Sequence, residues 1–384
     1  MTINLTTDIG KNFCYAPWTN IHVNPQGFYK TCCGGSELDN LREVSIDQAL
    51  QNTKLLEIKQ SLLNNQPHDY CKSCVESEKH SSWSERKWYS DIAERKIIPI
   101  KKIEDQVIQN LDIRWSIACN LSCSYCAKGA SSVWAQLEGE PLERMDYGQN
   151  LSKLMDFIIQ NKSTIKNLGL LGGEPLLQKE NEVLLTEIGN NVHINVITNL
   201  SVPLEKNKIF NRLIEMDNVM WDISFETIGD RFEYVRHGAK WTNMLNNIDI
   251  LKRATANKPG HNIGITGQFC VYNCLNLSEV FEALRDYNLP DMRLSELTYP
   301  HILSVFSLPN HLMKIAADQA IKSIPYATKP IQQFLQNQHD NLLAVPDRYV
   351  DIEELYTHHR DQENKYWPNF ELKFEKLWPE FKTL

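Results

Sequence analysis

The sequence predicts an α/β protein built as an open, partial (β/α)6 barrel, with a small cysteine-bearing region before it and helices after it. Three observations carry this. From Leu111 to about Tyr299 short apolar runs alternate with amphipathic ones, the pattern of parallel strands joined by covering helices. Seven of the ten cysteines fall into two spaced sets, one ahead of this stretch and one at the end of its first strand. The segment from Pro300 to Leu384 has the look of helices.

The strand candidates are LDIRWSIA from Leu111, KNLGLL from Lys166, HINVITN from His193, VMWDISFE from Val219, NIGITGQFCVY from Asn262 and DMRLSEL from Asp291. Their length and β-branched content suit buried strands. Between them NLSKLMDFIIQN, KENEVLLTEIGN, WTNMLNNIDILKRATA and LSEVFEALRDYN repeat their apolar residues at helical spacing. Six such units, rather than eight, give a barrel that does not close. In parallel α/β barrels the chemistry sits at the C-terminal ends of the strands.

Before the barrel, residues 1–102 are irregular and then helical and charged (SEKHSSWSERKWYSDIAERK), and Pro99 breaks that pattern as a linker would. The barrel is assigned to residues 103–300 and the helical extension to 301–384. That extension ends in an aromatic run, YWPNFELKFEKLWPEF.

Hydrophobic residues make up 42% and charged residues 23%, as in an ordinary globular protein. A formal charge of −8 offers no basic surplus for nucleic acid. No run approaches the roughly 20 apolar residues that cross a bilayer, and the first residues do not resemble a signal peptide. A cytoplasmic protein is expected. In a reducing compartment disulfides do not persist, so spaced cysteines point to metal.

The first barrel strand runs directly into CNLSCSYC, which sets Cys119, Cys123 and Cys126 at C-x3-C-x2-C spacing where a barrel's site is built. Three thiolates hold three corners of a four-iron cluster and leave one iron open; a fourth would close the site, as in structural metal centres. The plainer alternative is a zinc knuckle or three buried thiols. The second strand leads into Gly172, Gly173, Glu174 and Pro175, where glycines let backbone approach a ligand and a carboxylate suits an ammonium group.

This order of motifs resembles the radical S-adenosylmethionine (radical SAM) superfamily, whose barrels are TIM-like. The resemblance implies that Cys119, Cys123 and Cys126 bind a [4Fe–4S] cluster whose open iron chelates S-adenosylmethionine. It places Tyr125 against the adenine and GGEP at the cofactor's amino group. It implies reductive cleavage to a 5′-deoxyadenosyl radical that abstracts hydrogen from substrate. Asn199, in ITNLS, matches a ribose-contacting segment. Ser224 fits the family's next motif, while Glu226 and Thr227 replace its usual aspartate and glycine. Arg236 matches an arginine that pairs with the cofactor carboxylate. Turn, strand-end and surface roles compete for these last residues.

In the N-terminal region Cys14 is followed after twelve residues by Gly27, after four more by Cys32, and later by Cys71-x2-Cys74. NPQG between IHV and FYKT supplies hairpin chemistry that brings the flanking cysteines together. This resembles the auxiliary-cluster domain called SPASM, or its shorter twitch form, placed before the barrel rather than after it. The resemblance implies a second [4Fe–4S] cluster on Cys14, Cys32, Cys71 and Cys74, with Cys33 spare or an alternate ligand. The same spacing would serve zinc. Cys270 and Cys274, ending the fifth strand, read as packing residues or, more sharply, as a hydrogen-atom donor at Cys270.

The resemblance further implies an electron donor such as flavodoxin or ferredoxin, and it leads first to a maturase of a peptide or protein, forming crosslinks, thioethers or epimers. A dehydrogenase or epimerase of a sugar, nucleoside or cyclitol is the second reading, with Glu226, Asp222 and His237 as possible bases. A non-catalytic metal-binding scaffold is the third, and the intact GGEP weighs against it.

Overall fold

The computed structural model describes residues 10, 12–80, 84–94, 103–140, 149–290, 292–346 and 350–383. Pro99, the boundary at residue 102 and Asp291 at the start of the sixth strand candidate lie outside the described residues. The chain forms two compact units, one of Met1–Ala118, Pro141–Val196 and Lys208–Val219, the other of Cys119–Glu140, Ile197–Asn207 and Met220–Leu384.

Among the described residues there are nine strands. In the first unit β1 (Asn20–Val23) and β2 (Phe28–Lys30) make the expected antiparallel hairpin, with β3 (Asp39–Asn40) beyond β2. The turn works as NPQG chemistry requires. Gly27 sits at φ +88°, and the Asn24 carboxamide oxygen accepts from the amides of Gln26 and Phe28, both at 3.0 Å. The barrel strands follow as β4 (Asn110–Ile113), β5 (Asn167–Leu170) and β6 (His193–Thr198), each parallel to the one before.

One pairing was not legible in the sequence. β1 also lies parallel to β4, with His22 in register with Asp112, so the cysteine-bearing region extends the barrel's sheet instead of standing apart from it. His22 Nδ1 meets Asp112 Oδ2 at 2.8 Å on this row, and Arg114 reaches the same carboxylate. On the opposite face of β4, Leu111, Ile113 and Trp115 are buried, which is period-two alternation at work.

The helices that cover this unit are those expected at Gln149–Asn161 and Lys179–Ile188, the latter stopped by Gly189 at φ +80°. Lys208–Glu215 is an unpredicted addition. The charged stretch before the barrel forms Lys72–His80 and Glu85–Glu94.

The second unit holds β7 (Asn218–Ser224), β8 (His261–Phe269) and β9 (Met292–Glu296), the last two parallel over five residue pairs. Helix Trp241–Thr255 buries Trp241, Met244, Ile248 and Leu251, spaced three or four apart as one apolar stripe. Helices at Asn310–Ser323, Lys329–Leu343 and Glu353–Tyr366 confirm the helical tail. Its aromatic end is core: Phe374 stacks on Trp378 at 5.0 Å and both are buried. Each such ring contributes on the order of 2–3 kcal/mol by leaving water. Among the described residues no helix is long and apolar enough to cross a membrane.

Candidate active site

The loop that carries Cys119, Cys123 and Cys126 is fixed backbone atom by backbone atom. Ser132 Oγ accepts from Cys119 N at 3.0 Å, and Ser131 Oγ donates to Leu121 O at 2.6 Å. Ser122 N donates to His237 O at 3.0 Å and Ser124 N to Val235 O at 2.8 Å. The Trp134 indole donates to Cys123 O at 2.9 Å. Cys123 is buried, and Cys119 and Cys126 are half-buried. Burial pushes the Cys123 and Cys126 thiols up; at Cys123 Arg236 opposes this, while Cys126 and Cys119 reinforce it. With Cys123 and Cys126 resisting ionisation beside Cys119, the three thiols form a donor set calling for a cationic partner, and an iron cluster fits it.

Asn199 holds the first of these cysteines. Its amide donates to Asn120 Oδ1 at 3.0 Å and reaches Cys119 Sγ at 3.8 Å, and Ser201 Oγ donates to its oxygen at 2.7 Å. Gly238, at φ +101°, lets the chain pass within contact of Asn120 and Leu121.

Glu226, Arg236 and Tyr125, which the sequence offered for separate duties, form one buried set. Arg236 Nη2 donates to Glu226 Oε1 at 2.8 Å and Nε to Oε2 at 3.0 Å, a bidentate fork. Tyr125 donates its hydroxyl to Glu226 Oε1 at 2.9 Å, and the guanidinium lies 5.5 Å from the Tyr125 ring centre. The remaining Nη1 faces Cys123 Sγ at 4.0 Å. Asn273, which sequence reasoning passed over, donates to Glu226 O at 3.0 Å. Its place in CVYNC beside the two cysteines was the available signal. Ser224 ends β7, half-buried.

Cys270 and Cys274 are wholly buried; burial raises both thiols, and Cys274 leans on Val271 O at 3.9 Å. Asp222 is ion-paired to Arg293. His237 is stacked on Trp367 at 4.3 Å with Phe370 edge-on at 4.4 Å, and burial lowers its pKa to about 4.

In the first unit GGEP is a close-packed turn at the end of β5. A side chain on Gly173 would land on the carbonyl of Ala118, 2.7 Å from the Ile117 carbonyl carbon, and Gly172 sits at φ +116°. Glu174 N donates to Ala118 O at 2.7 Å, and its fully buried carboxylate accepts from Leu176 N at 3.1 Å, ahead of the turn Pro175–Leu177. Gln178 and Asn181 tie the turn to Ser116 and Trp115.

Also in the first unit, Cys14, Cys32, Cys71 and Cys74 line one cavity with Tyr70, Tyr89, Glu85 and Arg86. Burial lifts all four thiols, Cys32 to about 12 and Cys71 to about 11, and the cysteines raise one another. Such a set ionises fully only around positive charge, which a bound cluster supplies. Thr31 N donates to Tyr70 Oη at 2.8 Å and fixes the hairpin beside Cys32. Cys33 is not in the lining; its thiol bonds to Glu85 instead. Among the described residues no three His, Cys, Asp or Glu side chains converge on a single-ion position.

Residues 113–274 match the Radical SAM superfamily, and residues 14–75 match SPASM, an iron–sulfur cluster-binding domain. The chain therefore carries a radical SAM domain over residues 113–274. Ahead of it lies a SPASM domain, an iron–sulfur cluster-binding domain, over residues 14–75.

No curated protein matches the sequence. Among solved structures, native anSMEcpe with bound AdoMet is 14% identical with a TM-score of 0.40, over 63% of this chain and 64% of that one. Streptococcus suis SuiB bound to S-adenosylmethionine is 13% identical with a TM-score of 0.40, over 96% of this chain and 77% of that one. This chain thus covers less than two thirds of the length of the first.

Proposed function

We propose that the protein reductively cleaves S-adenosylmethionine and modifies a peptide or protein, as a maturase that forms a crosslink, a thioether or an epimer. The observation that carries the radical step is the Cys119–Cys123–Cys126 loop, pinned by its backbone and faced by the Arg236 guanidinium. The SPASM match supports the peptide substrate, because auxiliary-cluster families commonly act on peptide side chains or α-carbons.

When bound, the cluster supplies the electron that cleaves the cofactor and yields the 5′-deoxyadenosyl radical. Cys119, Cys123 and Cys126 hold three of its corners. Gly172 to Pro175, in the first unit, are the segment that the resemblance assigns to the cofactor's amino group, and the Glu174 carboxylate is taken up in shaping that turn. Asn199 orients Cys119 and the ribose contact, and Ser224 lines the end of β7. Tyr125 offers its ring to the adenine while its hydroxyl is anchored on Glu226. Glu226 serves here as the partner that aims Arg236, rather than as a base. Cys270 and Cys274 are packing residues in this reading, consistent with their full burial. Cys14, Cys32, Cys71 and Cys74 hold the auxiliary cluster and Cys33 is spare. Residues 1–102, 103–300 and 301–384 divide these duties, and a flavodoxin or ferredoxin of the cytoplasm delivers the electron.

The test is anaerobic reconstitution followed by iron counting and an assay of 5′-deoxyadenosine under dithionite. About eight irons per chain are expected. The count should fall to about four when Cys119, Cys123 and Cys126 become alanine, and stay near eight in Cys33→Ser. Bound zinc with no cofactor cleavage would overturn the proposal.

A further inference from the structure

Cys123, the middle ligand of the loop, is held from both flanks, and the C-terminal segment supplies or backs several of the holds. Gln362, on helix Glu353–Tyr366, donates its carboxamide to Ser124 O at 3.0 Å. Trp134, whose indole donates to Cys123 O, has its ring edge-on to Tyr366 at 4.9 Å and beside Trp367 at 5.8 Å. His237, whose carbonyl accepts from Ser122 N, is stacked on Trp367. The helix is itself clamped to the segment that presents Arg236. Tyr234 donates to Glu363 Oε1 at 3.0 Å, and the same oxygen accepts from Phe374 N at 2.8 Å. The far end is locked by Arg231, which donates to Leu377 O and Glu380, and by the Trp378 indole on Tyr272 O at 3.1 Å.

These contacts share a direction. A peptide carbonyl next to a ligand is neutralised by a carboxamide donor that arrives from more than two hundred residues away in sequence. A tail that only filled the core would need apolar contacts, not a polar reach into the ligand loop. We propose that the C-terminal segment is a brace for the radical SAM cluster, with Gln362 and Trp367 as positioning residues that fix the Cys123 peptide and limit opening of the loop. This rests on the reading of Cys119, Cys123 and Cys126 as cluster ligands.

The experiment uses the full chain, reconstituted anaerobically, in four forms: wild type, Gln362→Glu, Trp367→Ala and Trp134→Phe. Gln362→Glu keeps the shape and removes the donor; Trp134→Phe keeps a ring and removes the indole N–H. Two readouts are taken. One is the change that S-adenosylmethionine makes in the electron paramagnetic resonance signal of the reduced protein, which reports only a cluster with an open iron. The other is the rate at which an iron chelator abolishes that response. A net hydrogen bond is worth ~1 kcal/mol, so Gln362→Glu and Trp134→Phe should each lose the response about fivefold faster, and Trp367→Ala, which removes the ring behind Trp134 and His237, should lose it faster as well, all with an altered signal but the initial iron count of wild type. Wild-type signals and chelation rates in both Gln362→Glu and Trp367→Ala would overturn the brace, whatever Trp134→Phe does. A wild-type protein with no S-adenosylmethionine-responsive signal would instead overturn the underlying ligand assignment. Trp367→Ala is the variant most exposed to misfolding; Gln362→Glu decides the matter without it, and Trp134→Phe calibrates the loss of one hydrogen bond to the loop.

Discussion

Replacing Glu226 by glutamine tests whether the buried set beside Cys123 is organised by charge. The side chains of Glu226 and Arg236 are 1% and 9% exposed, and they meet at 2.8 Å. At an effective dielectric of about 20, unit charges roughly 4 Å apart attract by about 4 kcal/mol, which offsets only part of the desolvation of both. Glutamine removes the charge and turns one acceptor into a donor that faces either the Arg236 fork or the Tyr125 hydroxyl. The guanidinium is then buried without its counterion, a loss of about 3–5 kcal/mol. Arg236→Met strands the carboxylate at similar cost. The double variant Glu226→Gln, Arg236→Met removes both charges and should cost clearly less than the sum of the singles, because a buried pair is poorly worth its desolvation. The assay is urea unfolding of the four proteins without metal, followed by tryptophan fluorescence. A Glu226→Gln cost below about 1 kcal/mol, or a double variant equal to the sum, would refute an obligate buried pair. Arg236→Met should also raise the Cys123 thiol, since the guanidinium is what opposes burial there. A thiol titration by alkylation checks this.

Gly173→Ala would drive a methyl into the backbone of Ile117 and Ala118, and a loss of about 1–3 kcal/mol in urea unfolding is expected from the overpacking. Gly189→Ala, with open space around it, carries only the strain of a φ +80°, ψ 175° backbone that glycine alone adopts readily, about 1–3 kcal/mol, and should leave cofactor binding intact. His237 should make the protein less stable in acid. Its folded pKa of about 4 lies below the usual 6.5, so between those values the unfolded chain binds more protons and stability falls as the pH drops through that window. His237→Phe should shallow the slope of unfolding free energy against pH from 6.5 to 4. It should not abolish it, because His358 and His359 are also held low by burial.

The parts of the fold that local pattern encodes were legible. Strand periodicity and helix stripes located the six barrel strands and the helices at Gln149–Asn161, Lys179–Ile188, Trp241–Thr255 and Leu277–Asp286, since each is fixed by residues near in sequence. The short helices Ser132–Leu137, Lys208–Glu215 and Gly229–Val235 were missed; about two turns give too few apolar repeats to separate helix from loop. At the site, cysteine spacing named the thiols, but no local signal could join Glu226 to Arg236 and Tyr125, or Gln362 to Ser124. Those contacts are chosen by packing across the fold, and the types involved are ordinary at strand ends and helix surfaces.

The place of the auxiliary cysteines follows from the one strand pairing that pattern could not show. Parallel neighbours need a crossover connection of a dozen residues or more. Because β1 pairs with β4 in parallel, the chain between Asn24 and Gln109 is such a connection, and it contains Cys32, Cys71 and Cys74. Cys14 stands just before β1, ahead of the short helix Ala16–Thr19. The four thiols thus meet where the chain enters and leaves one strand of the barrel's sheet. An auxiliary domain built this way keeps a small core of its own, with Phe13, Tyr15, Trp18, Ile58 and Leu62 packed around Cys14, while β1 takes backbone partners from the first barrel strand. Ordering the domain before the barrel is therefore a structural solution, since the crossover that carries its ligands ends on the strand that leads into Cys119.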